Sequence, residues 1–111
     1  MGTHDPPDLL PGTLDLLILK ILQRGGDMHG YGIAQELRRA SDEVLQVGES
    51  SLYPALQRLM LQGWVKGEWG VSDNNRRARF YTLTAAGKKR LAQERDEFDR
   101  IILAIHRVLA T

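Results

Sequence analysis

The chain has no cysteine, which excludes disulfides, thiol nucleophiles and the zinc sites that depend on thiolates. It has no long apolar run either. Nothing approaches the roughly 18 to 20 consecutive apolar residues of a membrane-spanning helix, so no membrane partner is expected. Its three histidines, His4, His29 and His106, lie too far apart for metal-ligand spacing, and there is no glycine-rich phosphate loop. An enzyme would find little to use here, and neither a metal nor a cofactor is expected. His29 stands directly before a glycine and reads as a helix-opening residue rather than a base. The first residues, with Asp5, Pro6, Pro7 and Asp8, lack the basic start and apolar stretch of a secretory signal. Together with the missing cysteine, they point to a cytoplasmic protein.

Net charge is also scarce: 15 Lys and Arg against 14 Asp and Glu leave +1, a value shared by many proteins that never meet nucleic acid. Distribution says more than the total. Arg76, Arg77 and Arg79 cluster, followed by Lys88, Lys89 and Arg90, whereas Glu94, Asp96, Glu97 and Asp99 gather just after. One basic and one acidic surface are implied. With 111 residues, 42% hydrophobic and 26% charged, the chain can build one modest core and no second one.

Periodicity predicts the elements. Leu14, Leu16, Leu17, Ile18, Leu19, Ile21 and Leu22 are apolar nearly all round, as in a helix enclosed by others, with Thr13 as its cap and Gly25-Gly26 as its end. A second helix opens near Gly30 or Tyr31, with Tyr31, Ile33, Ala34 and Leu37 on its inner side, and stops about Ala40 or Ser41. A connecting turn follows, in which Val44, Leu45 and Val47 are expected to pack inward. The third helix carries a stripe of Leu52, Ala55, Leu56, Leu59 and Met60. With Ser51 as N-cap, Pro54 becomes its third residue, where a missing N–H costs nothing. Gly63 ends it.

Two β-favouring stretches, residues 64–69 and 79–83, flank the turn-rich run from Gly70 to Arg77 and predict a hairpin with a basic tip. Thr84 then caps a last helix. The predicted fold is mainly α with a small β-hairpin, a winged helix-turn-helix plus a C-terminal dimerisation helix. Its division is 1–9 as a flexible N-terminal segment, 10–84 as the DNA-binding domain and 85–111 as the dimerisation helix.

In such an arrangement the third helix enters the major groove of double-stranded DNA and the wing reaches an adjacent backbone or minor groove. Ser50, Ser51 and Tyr53 can donate to phosphate at the helix start. Gln57 and Arg58 can reach base edges. Asn75, Arg76, Arg77 and Arg79, with Asn74, supply the wing's phosphate contacts. A winged helix that serves only as a scaffold for protein interaction is the alternative, since fold alone does not decide function.

The last helix raises a separate question. Leu91, Phe98, Ile101, Ile102, Ile105, Val108 and Leu109 follow an a/d/e pattern that a core already filled by three helices is not expected to cover, the alternative being that the helix folds back on its own domain. At roughly 1.5 to 3 kcal/mol per large side chain removed from water, this stripe favours a second copy of the chain. A homodimer of this kind sets two recognition helices about 34 to 36 Å apart, or a multiple of that, on a palindromic operator.

Several strings then resemble one family: Leu10-Pro11-Gly12-Thr13-Leu14, His29-Gly30-Tyr31-Gly32-Ile33, Ser51-Leu52-Tyr53-Pro54-Ala55-Leu56, Arg58-Leu59, Gly63-Trp64 and Tyr81-Thr82-Leu83-Thr84-Ala85-Ala86-Gly87 are similar to the PadR regulators. The resemblance implies a repressor released by a small molecule. By matching position it gives DNA contacts to Tyr53 with Ser50, Ser51 and Gln57, and wing contacts to Arg76 and Arg77. It also implies a small aromatic effector at the dimer interface, where related short forms often carry Trp. Here Phe98 takes that place, without the indole N–H and with less stacking area. Phe98 therefore reads as dimer core before ligand platform.

Overall fold

A computed structural model describes residues 12–111, so the flexible segment expected over 1–9 and the Leu10-Pro11 part of the first motif lie outside the described residues. Helix α1 (Thr13–Gly25) is preceded by Gly12 at φ 83°, a left-handed turn that glycine makes without strain. No side chain caps it, and Thr13 is its first residue rather than the expected cap. Leu16, Ile18, Leu19, Ile21 and Leu22 are buried, which makes α1 the centre of the core.

Two residues the sequence left unassigned, Met28–His29, form a short strand β1. Helix α2 (Gly30–Ala40) starts where His29 Nδ1 accepts the Gly32 N–H at 3.0 Å, so His29 is the N-cap. Ile33 and Leu37 face inward as expected, but Tyr31 turns to solvent. Of the turn residues Leu45 and Val47 pack against the core, whereas Val44 is exposed.

Helix α3 (Glu49–Leu61) begins three residues earlier than Ser51 as N-cap would have it, with Gly48 as N-cap in an extended conformation. Ser51 is thus the third helical residue and Pro54 the sixth. At that depth Pro54 has no N–H to give the Ser50 carbonyl, a small defect on the solvent side of the helix. The other end is tightly closed. Gly63 takes φ 76°, its N–H reaches the Met60 carbonyl at 3.0 Å, and the Trp64 N–H reaches Leu59 at 3.1 Å.

Strands β2 (Val65–Val71) and β3 (Arg77–Leu83) pair antiparallel, and β1 joins β3 on its other edge, giving the order β1-β3-β2. The hairpin is longer than expected because Gly70 and Val71 pair with Ala78 and Arg77 instead of belonging to the turn. Helix α4 (Ala85–Leu109) is capped as foreseen: Thr84 Oγ1 accepts the Gly87 N–H at 3.0 Å and donates to the Gly63 carbonyl at 2.8 Å. Gly87 is pressed against backbone, since a Cβ there would lie 2.1 Å from the Trp64 carbonyl oxygen. The first turns of α4 are thereby fixed to the root of the wing.

Candidate nucleic-acid interface

Alternation along β3 decides what the wing presents. Tyr81, Arg79 and Arg77 share one face, opposite Gly67, Trp69 and Val71 of β2. Along this face burial decreases from root to tip: Tyr81 is buried, Arg79 partly buried and Arg77 exposed. Burial pushes the Tyr81 phenol above its usual range, partly countered by the nearby Arg79 charge. Gly67 makes room for Arg79, because a Cβ there would stand 2.6 Å from Arg79 Nε. That Nε is buried and has no hydrogen-bond partner. Arg77 stacks on the Trp69 ring with its guanidinium carbon 4.8 Å from the ring centroid, and Arg79 lies at 5.9 Å.

The tip is a designed turn rather than a loose end. Ser72 N–H donates to the Arg76 carbonyl at 2.8 Å, Asn75 N–H to the Ser72 carbonyl at 2.9 Å, and the Ser72 hydroxyl to Asn74 Oδ1 at 2.6 Å. Asn75 takes a left-handed φ of 61°, which asparagine tolerates better than most residues. The turn accounts for Asn75 at this position, and its exposed side chain remains available.

Between this wing and the starts of α2 and α3 runs an open groove of about 910 Å³. Tyr53, Arg76, Arg77 and Arg79 line it, joined by Tyr31 and Trp69, which the sequence reading did not place there. Signals for both were present: Tyr31 sits in the His-Gly-Tyr-Gly string, and Trp69 is the cross-strand partner of Arg79. Gly30 allows Tyr53 its position, since a Cβ on Gly30 would meet the Tyr53 hydroxyl at 2.7 Å.

On α3 itself Ser50, Ser51 and Gln57 are exposed beside Tyr53. Arg58 is exposed as well, but its guanidinium bonds Asp15 of α1 at 2.9 Å, so its donors are partly engaged. Leu61, one turn beyond Gln57, is a strongly exposed leucine that the sequence reading passed over.

The stripe of α4 divides. Leu91, expected at a dimer interface, is 4% exposed and belongs to the core of its own chain. Phe98 also packs partly against that core, and Ile102 is partly buried. Ile101, Ile105, Val108 and Leu109 are exposed, together with Leu103 on another side of the helix. No group of metal-ligating side chains occurs among the described residues, and no helix there is long and apolar enough to cross a membrane.

Three helices, a third strand at the wing's edge and a polar-faced α3 beside a basic hairpin define a winged helix-turn-helix protein. Comparison with known proteins narrows the class: residues 18–93 match the model of the transcriptional regulator PadR-like family. A transcriptional regulator of Mycobacterium tuberculosis is 34% identical over 85 residues, 75% of this chain and 76% of the relative. A PadR family transcription regulator from Clostridium difficile superposes with a TM-score of 0.74 at 29% identity, covering 88% of this chain and 99% of that one. Bacillus subtilis PadR in complex with operator DNA superposes with a TM-score of 0.63 at 28% identity, over 72% of this chain and 46% of that one. The chain belongs to the PadR-like family; it is a DNA-binding transcriptional regulator and not an enzyme.

Proposed function

We propose that this regulator is a cytoplasmic repressor that binds a palindromic operator as a homodimer. The observation that carries the reading is the groove that brings Tyr53 of α3 and Arg76, Arg77 and Arg79 of the wing together. In this reading Ser50, Ser51 and Tyr53 hold phosphate at the start of α3, and Gln57 reads a base edge. Arg58 joins it by exchanging Asp15 for a base. Asn75 and the wing arginines hold the neighbouring backbone. Ile101, Ile102, Ile105, Val108 and Leu109 join two copies, with Phe98 where the stripe leaves the core. A small aromatic effector at that junction would release the operator by changing how the two copies meet.

Selection of bound fragments from random duplex DNA tests the reading, with an inverted repeat as the expected product. Affinity for that product falls steeply between about 50 and 200 mM salt if phosphate contacts carry the binding. Recovery of no enriched sequence, or of one without two-fold symmetry, would overturn the operator reading. Sedimentation at micromolar concentration tests the dimer directly.

A further inference from the structure

The wing arginines differ from the other arginines of this surface in how they are held. Arg58 is tied to a carboxylate, whereas among the described residues Arg76, Arg77 and Arg79 belong to no ion pair. Arg77 is held instead by the face of Trp69, a ring that is 61% exposed and lines the groove. An indole face has no hydrogen-bond acceptor, so it orients a guanidinium while leaving all five N–H donors and the full charge free for another anion. Tyr31 of α2 and Tyr53 of α3 line the same groove, and their hydroxyls are donors suited to phosphate oxygens. Among the described residues Asp73 at the turn is the only carboxylate lining the groove. In a winged helix this space lies between the element that reads the major groove and the hairpin beside it, where one sugar-phosphate strand passes.

We infer that the groove seats one phosphodiester strand of duplex DNA and that Trp69 is its positioning residue, presenting Arg77 to phosphate with Tyr31 as a further donor. The inference rests on the DNA-binding reading and adds Trp69 and Tyr31 to it. Because the contact is to backbone, it acts on any sequence. A mixed-sequence duplex of about 30 base pairs is therefore a sufficient probe, titrated by fluorescence anisotropy across about 50 to 200 mM salt.

Trp69→Ala and Arg77→Ala are each expected to make the slope of log affinity against log salt shallower by about one unit. Each weakens binding about two- to fivefold at the low-salt end. The double variant binds about as Arg77→Ala does, because Trp69 acts through Arg77. Trp69→Phe, which keeps a ring face, stays within about twofold of the wild type, whereas Trp69→Leu, which keeps bulk without the face, follows Trp69→Ala. Unchanged thermal midpoints show that the wing is intact, and the Leu and Phe variants keep the comparison decisive if Trp69→Ala unfolds.

A wild-type slope in both Trp69→Ala and Trp69→Leu, or an equal loss with and without Arg77, overturns the role of Trp69 alone. Failure of the wild type to bind any duplex overturns the DNA reading itself.

Discussion

The two ends of α4 share one backbone and one apolar stripe but belong to different structures. Near its start Gly87 touches the Trp64 carbonyl and Leu91 is buried in the domain core, while near its end Val108 is 70% exposed. Phe98 lies between the two, half in the core. A periodic pattern therefore says that a face must be covered without saying by what. The near end is covered from within the chain, and the far end is left exposed, to be covered by a second copy in the proposed dimer.

Substitutions at the two ends should behave differently, and the far end should give the larger effect. Ile101→Asp with Ile105→Asp is expected to yield a folded monomer by sedimentation, with operator affinity lower by about two orders of magnitude because the two half-sites no longer act together. Leu91→Ala is expected to cost about 2 to 5 kcal/mol in denaturant unfolding. A stable protein with only a weakened dimer would instead place Leu91 at the interface. Gly87→Ala should cost about 1 to 3 kcal/mol, since its methyl group would meet backbone that cannot swing aside.

Gly30→Ala is a milder version of the same intrusion, because the atoms it meets are the outer part of the half-exposed Tyr53 ring, which can move. Stability should change by less than about 1 kcal/mol. Duplex binding should weaken several-fold as Tyr53 leaves the groove, measured by anisotropy. The smallest effect concerns Tyr81. Its folded pKa lies above the ordinary value of 10.0, so the unfolded chain loses that proton first and stability declines as pH rises past about 10. Tyr81→Phe should make that decline shallower in alkaline denaturation.

How far the sequence revealed this molecule depended on how many residues carried each signal. The stripe of α3 and the cap at Thr84 rest on many residues or on a specific hydrogen bond, and both stand in the structure. Start sites were harder. Around Ser51 three polar residues in a row can each cap, and the structure uses the backbone of Gly48 instead. Strand β1 is two residues long, too short to alternate, and exists because β3 offers an open edge. Gly70 and Arg77 read as turn residues by type, yet the ladder extends through both.

At the site, residue type pointed to Tyr53 and the wing arginines, which line one groove. It did not reveal the Arg58–Asp15 pair, which joins residues 43 positions apart. Nor did it place Tyr31 or Trp69, whose positions depend on how α2 and the hairpin approach each other.

The contact of Gly87 with the Trp64 carbonyl has a mechanical consequence. With no slack at that joint, α4 and the wing root turn as one rigid piece, and the 25 residues of α4 form an arm about 37 Å long. In the proposed dimer the angle at which two such arms cross sets the span between the reading heads. A few degrees of change at the crossing become ångströms at the DNA. In that dimer, operator spacing would be retuned at the far end of α4 without altering a single residue of the surface that reads the sequence.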